Sequence, residues 1–94
     1  MGKLSLASAG DMATVFKALD DGTRRLILDE LTARDGRTLL EICTLLTMRR
    51  GVGSSRQAVS QHLAVLEDAG LVTTERRGRT KLHYLNRAPL AAVY

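Results

Sequence analysis

Arg56, Gln57, Ser60 and Gln61 fall within six consecutive positions of the 94-residue chain. Val59, Leu63 and Leu66 are spaced by four and three, so a helix here buries one face and turns the polar four outward. Those side chains suit one kind of recognition. Arg contacts guanine bidentately, Gln does the same with adenine, and Ser serves either base. Ser54 or Ser55 can cap the start of this helix, expected over 54–69, and the free N–H groups there favour phosphate. His62, beside Leu63, fits either structural packing or a phosphate contact. Further on, Arg76-Arg77-Gly78-Arg79-Thr80-Lys81 gathers four cations around a glycine turn. A narrow basic ribbon of this kind can lie along or in a minor groove, where the local potential attracts Arg.

Other chemistries find little support. There is no Ser/His/Asp set, no phosphate-cradling glycine loop after a strand and no convincing carboxylate pair. The pairs Asp20-Asp21, Asp29-Glu30 and Glu67-Asp68 fit helix starts and solvated faces. The chain is therefore expected not to be an enzyme and to need no cofactor. Cys43 is the only cysteine, so no internal disulfide forms, which fits a reducing cytosol. A free Cys packs as a small hydrophobe, and this is the leading account of Cys43; a redox switch through its thiol is an alternative. His83 is expected in cross-strand packing.

The elements that position these residues follow from periodicity and turn signals. Asp11 to Leu19 reads as a first helix with Met12, Val15, Phe16 and Leu19 on one stripe. Asp21 or Thr23 caps a second helix, running to about Ala33 with Ile27, Leu28 and Leu31 inward. Thr38 caps a short third helix, and Glu41 three residues later completes a capping box. Its inward stripe is Leu39, Ile42, Leu45 and Leu46. The segment from Thr47 to Ser54 reads as a break, because Gly51 and Gly53 fall within it. After the 54–69 helix, Gly70 marks a stop. Residues 71–76 and 80–85 then form a β-hairpin. Pro89 fits the first turn of a last short helix through Tyr94. The fold class is mainly α with a small β-hairpin (α+β), a winged helix-turn-helix of order ααααββα. Residues 1–94 form a single domain, with 1–9 frayed and 86–94 serving as a short dimerisation segment.

The charge distribution agrees. Residues 1–48 hold six basic and seven acidic side chains, a net −1, whereas 49–94 hold eight and three, a net +5. The basic excess thus coincides with the polar helix and the hairpin and favours a polyanionic partner. No apolar run is long enough to span a bilayer. The first residues lack the apolar core of a secretory signal, and Leu6 stands where a myristoylation signal needs Ser or Thr.

From Phe16 to Leu85, about three quarters of its length, the chain resembles the arsenical-repressor-like (ArsR/SmtB) winged-helix regulators of bacteria. The resemblance rests on residues 18–28 (Ala-Leu-Asp-Asp-Gly-Thr-Arg-Arg-Leu-Ile-Leu) and 55–63 (Ser-Arg-Gln-Ala-Val-Ser-Gln-His-Leu). It extends over 66–72 (Leu-Glu-Asp-Ala-Gly-Leu-Val) and 76–79 (Arg-Arg-Gly-Arg). It implies a homodimer that represses promoters and often releases DNA on binding an inducer. Two departures stand out. The family's third and fourth helices are joined by a tight turn, whereas Thr47 to Ser54 is longer. We read this stretch as an extended turn whose Arg49 and Arg50 add phosphate contacts, with an exposed loop as the alternative. Many members bind metal through two cysteines on the third helix, and the family also uses His/Asp/Glu pairs on the last helix, which the short tail after Pro89 lacks. Here Cys43 matches the first cysteine and Leu45 replaces the second, so no metal site is expected.

The expected function is a cytoplasmic, nucleoid-associated repressor of bacterial type that reads a double-stranded DNA operator. Helix 54–69 enters the major groove, and the wing, residues 76–81, touches the adjacent backbone or minor groove. The alternatives are the redox-responsive regulator and a winged-helix protein-interaction module. The expected dimer interface is Val15, Phe16 and Leu19 with Leu90, Val93 and Tyr94. The expected partners are operator DNA, a second copy of the chain and an inducer not yet identified; no membrane is involved.

Overall fold

The computed structural model describes residues 12–88. Four helices run in sequence, α1 (Met12–Leu19), α2 (Gly22–Ala33), α3 (Leu39–Arg50) and α4 (Arg56–Asp68). An antiparallel hairpin of β1 (Val72–Arg77) and β2 (Thr80–Leu85) follows. This is the expected winged helix-turn-helix order. The last helix, placed by sequence after Pro89, lies outside the described residues.

Each of the next three helices starts where a side-chain oxygen meets its free N–H groups. Asp21 Oδ1 accepts from Arg24 N at 3.0 Å and opens α2. At α3, Thr38 Oγ1 accepts from Glu41 N at 3.1 Å and Glu41 Oε1 accepts from Thr38 N at 2.9 Å, the expected capping box. Ser55, rather than Ser54, caps α4 by accepting from Ala58 N. The Asp21 and Glu41 carboxyls both sit below the usual carboxylate range. The leading cause is the backbone N–H each accepts, from Arg24 for Asp21 and from Thr38 for Glu41.

One apolar core joins all the elements. Val15 and Ala18 of α1 pack with Ile27 and Leu31 of α2, Ile42 and Leu46 of α3, and Val59, Leu63 and Leu66 of α4; Leu71, Val72 and Leu85 close it from the hairpin side. The hairpin register runs from Val72 opposite Leu85 to Arg77 opposite Thr80. Gly78 takes the positive φ of 62° that a two-residue hairpin turn requires. An isolated bridge between Arg37 and His83 holds the base of the hairpin to the α2–α3 connection. His83 N and His83 Nδ1 both donate to Arg37 O, at 2.8 and 3.0 Å. His83 thus does more than pack across the strands; it anchors the hairpin.

The break after α3 differs from the sequence expectation. The helix does not end near Leu46 but continues through Arg50, and only then does Gly51, at φ 68°, turn the chain. Thr47 to Arg50 form the last turn of α3, and the connection proper is 51–55. The physical reason lies on α2. Glu30 is completely enclosed, and the added turn brings two arginines to it. Arg50 Nε donates to Glu30 Oε2 at 3.0 Å, and Arg49 Nη1 stands 3.6 Å from Oε1. A buried carboxylate is retained only where cations and donors match it.

Candidate nucleic-acid interface

The chemistry-bearing helix is seated as expected. Val59, Leu63 and Leu66 face the core, while Arg56, Gln57, Ser60 and Gln61 are all exposed. At about 100° per residue, Gln57 and Gln61 project opposite the buried stripe. Arg56 and Ser60 lie on the flank, toward the wing. Ser55 is exposed at the helix start and Ser54 is half-buried.

His62 is half-buried and structurally engaged. Arg24 Nη1 approaches its Nδ1 at 3.2 Å, and because a guanidinium only donates, Nδ1 accepts. The same Arg24 donates to Ala18 O at 2.8 Å and Lys17 O at 3.3 Å. One side chain thereby joins the end of α1, the start of α2 and the middle of α4. The sequence reading misses this hub, and only long-range information could reveal it.

On the wing, Arg77 Nε lies 3.5 Å from Glu75 Oε1, an exposed pair. Arg76, Arg79 and Lys81 have no ion-pair partner among the described residues. A cleft of about 540 Å³ lies between α4 and the wing, with Thr38, Leu39 and Leu40 at the start of α3 also in its wall.

Arg49 and Arg50 require a correction. They do not stand on an extended turn, and Arg50 is turned toward Glu30, its side chain one-third exposed. Its Nε pairs with a carboxylate of its own protein. Arg49, at 60% exposure, remains largely in solvent. A signal for Glu30 is present in the sequence. Ile27, Glu30 and Leu31 share one helical stripe, and a carboxylate on a buried stripe needs a cation.

Cys43 is half-buried against the core. Burial pushes its thiol up, with the opposing pull of Arg56 the smaller influence. A redox-sensing thiol needs an accessible, low-pKa setting, whereas this one fits packing. Among the described residues, no three of His, Cys, Asp and Glu gather as a metal site.

Of the residues expected in a dimer interface, Val15 is fully enclosed by its own chain's core and Leu19 is half-buried. Phe16, 54% exposed, is the one that offers an open apolar surface. Leu90, Val93 and Tyr94 lie outside the described residues. A second, larger cleft, about 960 Å³, is lined by Leu19, Leu26 and Leu85 together with Arg25 and Arg87.

A helical core carrying an exposed polar helix and a basic two-stranded wing defines a winged helix-turn-helix protein, and known proteins agree. A family model described as a helix-turn-helix domain matches residues 19–75. An uncharacterised HTH-type transcriptional regulator of Bacillus subtilis, YuzN, is 48% identical over 86% of this chain and 88% of its own length. The transcriptional repressor SdpR of the same organism is 33% identical over 84% and 80%. An ArsR-like transcriptional regulator from a Rhodococcus species superposes with a TM-score of 0.67 at 36% identity, covering 86% of this chain and 70% of its own. A homodimeric winged helix-turn-helix DNA-binding domain from Mycobacterium bovis superposes with a TM-score of 0.70 at 30% identity, covering 85% and 68%. The chain belongs to the helix-turn-helix domain family and, within it, to the ArsR-like winged helix-turn-helix regulators. It is a DNA-binding transcriptional regulator and not an enzyme. No helix among the described residues is long and apolar enough to cross a membrane.

Proposed function

We propose that the protein is a homodimeric, cytoplasmic repressor that reads the major groove of its operator with α4 and steadies the complex with the wing. The observation that carries this reading is the placement of Gln57 and Gln61 directly opposite the buried face of α4, on a protein whose wing carries three cations with no ion-pair partner among the described residues. Gln offers a donor and an acceptor at once, which suits recognition of adenine. The wing cations are suited to phosphate, whose contacts position a protein on DNA without specifying sequence. Repression is supported by the likeness to SdpR. The homodimer is supported by the likeness to the M. bovis domain and by Phe16, whose exposed ring extends the α1 surface toward a second copy. Twofold symmetry suits a palindromic site.

The test is selection of bound duplexes from a random pool, followed by sedimentation of the complex. We expect an inverted repeat and two copies of the chain per duplex. A pool that stays random, or a monomer at micromolar concentration with and without DNA, overturns the reading. A reporter under the selected operator then decides the sign of regulation.

A further inference from the structure

We propose that the cleft between α4 and the wing seats one backbone phosphate of bound DNA, and that Arg56 anchors this phosphate instead of reading a base. The inference rests on the DNA-reading function above and divides its polar residues into two groups that the sequence does not separate. Arg56 and Ser60 from α4 line the cleft together with Arg79, Thr80 and Lys81 from the hairpin. Gln57 and Gln61 do not line it.

The charge of the cleft is graded. Arg56, Arg79 and Lys81 have no ion-pair partner among the described residues. The one carboxylate on the wall, Glu67, sits eleven positions beyond Arg56, about 16 Å along the helix axis. It also accepts a hydrogen bond from Thr74 Oγ1 at 3.3 Å. The hairpin runs back along α4. Its base at Thr74 meets Glu67, and its tip at Arg79 shares the cleft with Arg56. One end of the cleft therefore carries three unmatched cations and the hydroxyls of Ser60 and Thr80, a donor set suited to a phosphodiester oxygen.

Arg56 points about 100° away from Gln57 around the helix, into the cleft that the start of α3 and the wing also line. When Gln57 and Gln61 face base edges, the strand bordering the groove passes on the wing side. An arginine there meets phosphate before it meets a base.

The test combines single-phosphate neutralisation with substitution. Operator duplexes from the selection above are prepared with one phosphate at a time replaced by an uncharged methylphosphonate. Wild type is expected to lose affinity about tenfold at one phosphate per half-site. Arg56→Ala is expected to bind the unmodified operator weakly, to lose nothing more at that same phosphate, and to select the wild-type motif. Its salt slope should be shallower by about 0.9 for each phosphate it no longer neutralises. Arg56→Gln, which keeps helix propensity, should behave alike, and circular dichroism verifies that both variants fold. Gln57→Ala is expected to change the selected base at one position of each half-site. An Arg56 variant that selects a different base, or whose loss adds in full to that of every methylphosphonate, overturns the inference. A wild-type protein that enriches no motif overturns the DNA-reading proposal, and this one with it.

Discussion

Replacing Arg50 by Ala should markedly destabilise this protein. The Glu30 side chain is 0% exposed, and Arg50 Nε supplies its one short hydrogen bond, at 3.0 Å to Oε2. Glu30 Oε1 has no hydrogen bond; Arg49 Nη1 approaches it only to 3.6 Å. Removing one partner of a buried ion pair costs about 3–5 kcal/mol, because the other charge stays behind without compensation. Arg50 is one-third exposed and Arg49 persists as a second cation, so about 2–3 kcal/mol is the reasoned value for Arg50→Ala. In a domain of this size that lowers Tm by roughly 10–20 °C. Arg49→Ala, by contrast, removes a long and mostly solvated pairing and should cost about 0.5 kcal/mol or less. Urea unfolding at one fixed protein concentration measures both, since dimerisation makes apparent stability concentration-dependent. The double variant Glu30→Leu with Arg50→Ala should recover most of the loss, because an apolar side chain leaves no charge to match. If Arg50→Ala stays within about 0.5 kcal/mol of wild type, or the double variant is as unstable as the sum of its parts, the charge-compensation account of the longer α3 is wrong.

Three further expectations concern caps, thiol and turns. Asp21→Ala and Thr38→Ala should each cost about 1 kcal/mol by removing an N-cap, as read from urea midpoints. The carboxyls of Asp21 and Glu41 are held below their ordinary values in the folded protein. Their contribution is therefore complete above the unfolded-state pKa and lost as pH falls through the folded-state values. Asp21→Ala should flatten this acid limb, and an unchanged limb would contradict the linkage. Cys43→Ser should leave operator affinity within about twofold, and the wild-type thiol should react slowly with a thiol reagent at neutral pH; rapid labelling coupled to loss of DNA binding would revive a redox switch. Gly36→Ala should destabilise more than Gly51→Ala in thermal melts, and equal melting points would refute the steric argument. Both glycines have positive φ, 75° and 68°, worth about 1–2 kcal/mol of strain. Only at Gly36 would a Cβ come within 3.3 Å of the Tyr84 ring.

What can be read in advance is local. The cap at Thr38, the inward stripe of Val59, Leu63 and Leu66 and the hairpin around Gly78 each follow from spacings within one element, and all stand in the structure. The departures share a different origin. Gly51 and Gly53 mark a break correctly, but its position depends on Glu30, twenty residues upstream of Arg50, which stabilises one more turn of α3 through that arginine. Val15 fits an amphipathic stripe, yet the stripe cannot show that its own chain encloses Val15 and leaves Phe16 outside. Arg56 and Gln57 are adjacent and both polar. Their division between the cleft and the outward face needs the hairpin's position, which is a tertiary fact. His62 falls on the expected helix, but its partner Arg24 lies thirty-eight positions away.

The Arg24 hub has a mechanical consequence. A reader of paired half-sites must hold its two reading helices about 34 Å apart, one turn of the duplex. Spacing of that kind is only as fixed as the joints between the helix that joins the copies and the helix that reads. In a twofold assembly built on the Phe16 face, the shared core forms that joint and one guanidinium reinforces it, clasping the last carbonyls of α1 on one side and His62 of α4 on the other. A planar, multiply bonded clasp resists rotation where a single bond would act as a pivot. The exposed face of α1 and the reading face of α4 then move as one body. In the proposed dimer, tolerance for extra base pairs between half-sites would depend in part on residue 24, separate from the residues proposed to choose the bases.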